Sequence, residues 1–179
     1  MPAPLYLPVG RTDSEISMKR REQARRIALQ ALYQLDVRGE GFGPDVVEFL
    51  MSSTKDPEVY FFARRLTEGA WAAREASDAL IRRAAEHWRP ERMAIIDRNV
   101  LRLGVYELTQ CPDIPPRVAI DQAIELAKRF SAAESGAFVN GVLDHVLRIV
   151  RGEEGTHAEE APPQDAPATK TTDGAKADE

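Results

Sequence analysis

Apolar residues between positions 14 and 151 recur at intervals of three and four residues, which is the pattern of amphipathic helices. The spacing predicts six or seven helices joined by short loops. Their approximate ranges are 14–38, a short helix after Pro44, 57–88, 91–109, 116–130 and 135–151. No segment alternates between apolar and polar residues for more than a few positions, so we expect no sheet. The pattern therefore predicts an all-α fold.

The two ends of the chain lack this pattern. Residues 1–13 contain three prolines and little periodicity, which indicates a flexible leader. Residues 152–179 are rich in Ala, Pro, Thr, Gly and acidic residues, and hold no aliphatic side chain larger than that of Ala. Such a segment cannot bury enough apolar surface to offset its chain entropy, so we expect a disordered tail. The helical domain is thus predicted to span residues 14–151.

Charge is unevenly distributed along the chain. The predicted tail holds eight acidic and two basic side chains, a net charge of −6, whereas the rest of the chain holds 22 basic and 21 acidic ones. The net charge of −5 for the whole chain therefore comes from the tail. Basic surfaces on the near-neutral body must be recognised from local clusters instead.

Several classes of protein are not expected from this sequence. The single cysteine, Cys111, excludes a disulfide framework and a multi-cysteine metal site, and it suits a reducing cytosol. The sequence has neither a run of about 18 apolar residues nor the charged start and apolar core of a signal peptide, so we expect a cytoplasmic protein. His87, His145 and His157 share no ligand spacing, and no phosphate-loop, dinucleotide or nucleophilic-serine motif occurs. We therefore expect no metal, no cofactor and no enzymatic activity.

The first helix carries a basic cluster. Residues 18–26 contain one acidic and five basic side chains, the latter being Lys19, Arg20, Arg21, Arg25 and Arg26. A helical wheel places Lys19, Arg25 and Arg26 opposite the apolar stripe, and it places Tyr33 on the same polar side. This arrangement favours RNA binding, with phosphate contacts from the basic side chains and base stacking on Tyr33. The alternative is a solvated basic face with Tyr33 packed on a neighbouring helix.

The helix predicted for residues 91–109 is apolar around most of its circumference, which is typical of a central helix. Asp97 and Glu107 fall inside the apolar arc, so each is expected to have a hydrogen-bonding group or an arginine as its partner. The narrow polar arc holds Arg98, Asn99, Arg102 and Tyr106. We interpret this arc as an exposed face that contacts a partner or RNA.

Asn140-Gly141 stands inside the last predicted helix. A glycine there costs about 1 kcal/mol relative to alanine, so it suggests either close packing of two helices or the approach of a ligand backbone.

Four segments of the chain resemble the NusB family of bacterial transcription antitermination factors, and they occur in the family's order. They are residues 25–33 (RRIALQALY), 97–108 (DRNVLRLGVYEL), 118–130 (VAIDQAIELAKRF) and 138–144 (FVNGVLD). The resemblance implies an all-α fold of two packed helical subdomains without catalysis. It also implies binding of boxA RNA together with NusE, a small-subunit ribosomal protein. The complex would join RNA polymerase and favour read-through of ribosomal RNA operons.

The resemblance also assigns residues to these roles. The family's RNA-binding motif of the first helix falls on Lys19, Arg20, Arg21, Arg25, Arg26 and Tyr33. The region implied to face the partner contains Asp97, Arg98, Arg102 and Tyr106, with Phe138 and Asn140 near the same binding surface. The chain departs from the family at Asp121-Gln122, where Asn-Glu is usual, and at Glu22-Gln23, where basic residues are common.

Two alternative functions stay open at this point. One is a helical scaffold that binds only protein, in which the basic face meets an acidic partner. The other is a NusB-like accessory module of an RNA-modifying system. The acidic tail lies outside the resemblance, and one hypothesis is that it competes with RNA for the basic helix and so raises specificity.

Overall fold

A computed structural model describes residues 18–39, 45–85 and 92–153, and these residues form seven helices and no strand. The helices are α1 (Met18–Arg38), α2 (Val46–Ser53), α3 (Pro57–Ala72), α4 (Arg74–Ala84), α5 (Ile95–Gln110), α6 (Pro116–Phe130) and α7 (Ser135–Arg151). The all-α prediction is therefore confirmed. The predicted leader, the helix start before Met18, His87, His157 and the predicted tail beyond Glu153 lie outside the described residues.

The single helix predicted for residues 57–88 is wrong, because α3 and α4 are separate helices that meet at Ala73. Arg74 covers the end of α3, where its guanidinium donates to the Trp71 carbonyl at 3.0 Å and lies 4.7 Å from the centre of the Trp71 ring. The break lets α3 pack on α1 while α4 packs on α7. No glycine or proline marks the junction, so the sequence contains no local signal for it.

The predicted start of α3 and the predicted end of α7 are both confirmed. Asp56 caps α3, since its carboxylate accepts a hydrogen bond of 3.0 Å from the Glu58 amide, and Pro57 occupies the first turn. Gly152 ends α7 in the left-handed region with φ of 71°, and the Glu153 amide donates back to the Arg148 carbonyl at 3.0 Å. This is a Schellman cap, which turns the chain away from the helix axis.

Helix α5 lies at the centre of the molecule, in contact with α1, α3, α4, α6 and α7. The prediction of a central helix is confirmed. Close approach depends on two glycines: the Tyr106 ring of α5 packs directly on Gly69 of α3, and the Leu143 side chain of α7 packs directly on Gly104 of α5.

The apolar stripe predicted for α1 is buried in full; it comprises Ala24, Ile27, Ala28, Ala31, Leu32 and Leu35. Within the described residues, no helix has the length and apolar character needed to cross a membrane.

Candidate nucleic-acid interface

Arg25 does not lie on the exposed face of α1 where the helical wheel places it. Its side chain is 2% exposed and forms a bidentate ion pair with Glu107 of α5, which is also 2% exposed. The Arg25 Nε and Nη2 atoms donate to the Glu107 carboxylate at 2.9 and 2.7 Å. The expected partner for Glu107 is thereby confirmed. The wheel was wrong because α1 is contacted on a second side, by α5, so burial extends beyond its apolar stripe.

Arg20 and Arg21 face α3. Arg20 forms ion pairs with Asp56 and Glu58 at the start of α3, the first at 3.0 Å. The Arg21 guanidinium lies 5.3 Å from the centre of the Phe62 ring. These contacts attach the first turns of α1 to α3, and the RNA contacts of Arg20 and Arg21 stay a prediction.

Lys19 and Arg26 line an open groove of about 670 Å³ between α1 and α6. We call this the basic groove; its lining residues are Lys19, Glu22, Gln23 and Arg26 of α1 and Gln122, Glu125, Leu126, Lys128 and Arg129 of α6. Among the described residues, no carboxylate lies within 4.0 Å of the charged atoms of Lys19 or Arg26. Their charges are therefore available to an anionic ligand.

The contribution of α6 to this groove was not predicted from the sequence. Lys128 and Arg129 stand in the last turn of α6, where basic side chains are favourable for any helix because they oppose its dipole. Their spacing alone therefore does not distinguish a ligand site from a helix end. Lys128 also forms an exposed ion pair of 3.0 Å with Glu125, which is a weak interaction in water.

A second groove of about 410 Å³ continues from the first along α1. We call this the apolar groove; its lining residues are Leu29, Gln30, Tyr33, Gln34, Phe49, Ile96 and Phe130. Tyr33 is 41% exposed, so its predicted exposed position is confirmed. The two grooves adjoin because residues 26 and 129 line the first while residues 29 and 130 line the second. One strip of the surface is thus basic at one end and apolar at the other.

The polar arc of α5 is not an exposed face, which corrects the prediction. Arg102 is 7% exposed and donates to both carboxylate oxygens of Asp78 in α4, at 2.8 and 2.7 Å. Arg98 and Asn99 both donate to Asp36 of α1, at 2.8 and 2.9 Å. These side chains connect α5 to α1 and α4, because the central helix has neighbours on its polar side as well as its apolar side.

Tyr106 is half-buried rather than exposed, because its ring rests on Gly69. Burial raises the pKa of the Tyr106 hydroxyl, and it also raises the pKa of the neighbouring Cys111 thiol. Cys111 itself is buried. Neither group is poised to ionise near neutral pH.

Asp97 is half-buried in the first turn of α5, where it accepts a 3.0 Å hydrogen bond from the Ser135 hydroxyl. The expected hydrogen-bond partner is thus confirmed, although its Oδ1 atom is buried and has none among the described residues. In α7, Phe138 is half-buried against the core and Asn140 is exposed. The partner contacts of these three residues stay a prediction.

A Cβ atom at Gly141 would have no heavy atom within 4 Å, so close packing of helices does not explain this glycine.

In the described part of the chain, no group of three or more His, Cys, Asp or Glu side chains could hold a metal ion.

The chain is similar to known proteins of one family. The model of the NusB family matches residues 22–148. The transcription antitermination protein NusB of Symbiobacterium thermophilum is 45% identical over 153 residues, covering 81% of this chain and 99% of that protein. NusB of Myxococcus xanthus is 46% identical over 134 residues, covering 72% of this chain and 95% of the relative.

Solved structures show the same similarity. The fold resembles that of T. maritima NusB with a TM-score of 0.64 and 38% identity, covering 72% of this chain and 90% of that one. A crystal structure of the antitermination factors NusB and NusE in complex with double-stranded RNA contains a chain with a TM-score of 0.66 and 31% identity. That match covers 74% of this chain and 99% of the solved one.

Proposed function

The chain belongs to the NusB family, and on that premise we propose that it is an RNA-binding transcription antitermination factor without enzymatic activity. It binds boxA RNA together with NusE, joins the RNA polymerase antitermination complex in the cytoplasm and promotes read-through of ribosomal RNA operons. The related solved complex of NusB, NusE and double-stranded RNA supports both ligands.

RNA binds in the basic groove. The observation that carries this assignment is that Lys19 and Arg26 of α1 face Lys128 and Arg129 of α6 across one open groove. Four basic side chains on two helices can follow successive phosphates of a backbone, and phosphate contacts supply most of the affinity. Binding therefore weakens steeply as salt concentration rises, because neutralised phosphates release their counterions.

NusE covers the apolar groove. Tyr33, Ile96 and Phe130 expose apolar surface there, next to the RNA-binding end of the strip. Aromatic and aliphatic side chains at the centre of a patch with polar neighbours are typical of a protein interface. Because the two grooves adjoin, RNA and NusE would bind side by side on this surface. Each would then raise the affinity of the other, which explains why the two would bind as one complex.

Not every basic residue of α1 has the same role under this proposal. Arg25 supports the fold through Glu107, and Arg20 and Arg21 hold α1 against α3. Arg102 likewise holds α4 through Asp78. The direct contacts are assigned to Lys19 and Arg26, with Lys128 and Arg129 added from α6.

The test is fluorescence anisotropy of a short boxA RNA and a scrambled RNA, with and without purified NusE, at two salt concentrations. We expect the double variant Lys19→Glu with Arg26→Glu to weaken RNA binding at low salt by at least about tenfold, because two phosphate contacts become repulsive. Arg117→Glu with Arg151→Glu is the matched control, since it makes the same change of charge at two exposed side chains that line neither groove. Equal RNA affinity in the groove variant and the control would contradict the proposal.

Tyr33 separates RNA stacking from partner binding. If the apolar groove receives NusE, Tyr33→Ala weakens NusE binding measured without RNA and leaves RNA binding measured without NusE nearly unchanged. The opposite result would assign Tyr33 to base stacking, which costs about 1–3 kcal/mol per base when the aromatic side chain is removed.

A further inference from the structure

The acidic C-terminal segment has no role in the function proposed above. Residues 154–179 carry seven acidic and two basic side chains and no aliphatic side chain larger than that of Ala. Such a composition cannot fill an apolar groove, but it can supply carboxylates to a basic one. We propose that residues 154–179 occupy the basic groove of the same chain when no RNA is bound, in competition with RNA phosphates. This inference rests on the proposed role of that groove in RNA binding.

Charge complementarity is the first argument. The lining of the basic groove holds four basic and two acidic side chains, so it is positive overall, and one of its acidic residues, Glu125, already bonds to Lys128. Lys19 and Arg26 have no such partner among the described residues. Carboxylates accept the same charge-assisted hydrogen bonds from Arg and Lys as phosphate oxygens do.

The position where the segment leaves the fold is the second argument. Helix α7 ends beside the start of α6, since Arg151 and Arg117 line the same shallow pocket. From Arg117 to Arg129 of the basic groove is about 18 Å along the helix at 1.5 Å per residue. A chain of 26 residues has a root-mean-square length of about 28 Å as a flexible coil and can extend much further. The groove is thus within reach of the segment, including Glu159 and Glu160.

The strength of this contact follows from tethering. Each exposed ion pair is weak, so several of them must form at once if the untethered segment is to reach a dissociation constant of about 0.1–0.5 mM. A tether of this length holds the segment at an effective concentration of about 1 mM. Competition on this scale lowers the affinity for RNA by about three- to tenfold.

Simple competition lowers the affinity for every RNA by the same factor, so it does not change the ratio of specific to non-specific affinity. Competition by the segment would displace weakly bound RNA from the basic groove. RNA that is also held through NusE would stay bound at the same RNA concentration. The tail therefore does not raise specificity by competition alone. It raises the RNA concentration that is needed for binding.

The experiment compares the full-length chain with a full-length variant in which Glu159, Glu160, Asp165 and Asp173 are replaced by Gln or Asn. We expect the variant to bind scrambled and boxA RNA about three- to tenfold more tightly at 50 mM salt, with the difference lost near 300 mM because the ion pairs are screened. A second variant with the sequence of residues 154–179 shuffled at constant composition should behave like the original chain. Unchanged RNA affinity in the neutralised variant would overturn the inference while leaving the proposed function intact.

A measurement in the absence of RNA tests the contact between the segment and the basic groove directly. In amide NMR spectra at low salt, the neutralised variant should show shifts at Gln23, Gln122 and Leu126 of the basic groove. Tyr60 and Phe61 of α3 line a separate pocket together with Met51 of α2, so they serve as controls and should not shift. Groove signals that do not differ between the two chains would exclude the contact even if RNA failed to bind either of them.

Discussion

Arg25 and Glu107 join α1 to α5 through two parallel hydrogen bonds in an almost fully buried site. The Arg25 guanidinium also lies 5.6 Å from the centre of the Phe62 ring of α3. A pair of this kind contributes less to stability than its geometry suggests, because both charges lose their hydration. Removing one partner, however, leaves the other charge buried and unbalanced. The pair therefore fixes how the two helices meet, and losing one of its charges should cost more stability than losing both.

We predict that Glu107→Gln lowers the free energy of unfolding by about 3 kcal/mol, because the Arg25 charge remains buried without a counter-charge. Urea denaturation at pH 7 measures this change. Glu68→Gln is the matched control, since Glu68 forms an exposed pair with Arg64, and it should change stability by less than about 1 kcal/mol. The double variant Arg25→Met with Glu107→Leu should recover most of the loss. Similar small losses in both glutamine variants would contradict this account.

At the scale of the helices, two glycines in similar local sequence positions have different roles in packing, because their neighbouring helices differ. Gly69 in α3 and Gly141 in α7 are both glycines inside helices, where alanine is intrinsically preferred. The Tyr106 ring of α5 occupies the space beside Gly69, whereas the space beside Gly141 is open. Gly69 is thus required for α3 to approach α5, and Gly141 is not required by any neighbouring helix in the described structure.

We predict opposite effects for Gly69→Ala and Gly141→Ala. A Cβ at Gly69 would lie 2.1 Å from Tyr106 Cζ, so the ring must move, and stability should fall by about 1–3 kcal/mol. Gly141→Ala should raise stability by about 0.5–1 kcal/mol through helix propensity. Thermal and urea unfolding measure both changes, and a fall in both variants would refute the prediction. A loss of RNA or NusE affinity in the more stable Gly141→Ala variant would indicate that a ligand backbone approaches there.

At the scale of the whole molecule, ion pairs link helices that are distant in the sequence. Asp36 of α1 accepts from Arg98 and Asn99 of α5, and Asp113 after α5 pairs with Arg65 of α3 at 2.6 Å. Burial acts to raise the pKa of Asp36, but the Arg98 hydrogen bond and the Arg102 charge outweigh it and lower that pKa. The hydrogen bond from Arg65 lowers the pKa of Asp113 despite the opposing effect of burial.

These two carboxylates predict a fold that loses stability in acid. Because their pKa values are lower in the folded than in the unfolded state, the unfolded chain binds protons first as the pH falls. Their contribution should be complete above about pH 5 and should decline as the pH drops through about 4 toward the folded-state pKa values. Urea denaturation between pH 7 and pH 3 measures the decline. Asp36→Asn should reduce stability at pH 7 and flatten the curve in acid, and an unchanged slope would exclude Asp36 as a source.

The sequence by itself determined the helical class, most helix boundaries, the buried stripe of α1 and the basic character of its first turns. These properties depend on residues a few positions apart, so the period of the pattern contains them. The family resemblance also follows from local segments.

Only the tertiary structure decided which basic residues are available to a ligand. Arg25 and Glu107 are 82 residues apart in the chain, so no local pattern could show that Arg25 is buried. The basic groove likewise depends on α6 lying opposite α1, which brings Lys128 and Arg129 to face Lys19 and Arg26. The break at Ala73 follows from the packing of α3 and α4 on different neighbours. In each case the deciding contact joins distant parts of the chain, and it forms only when the helices pack around α5.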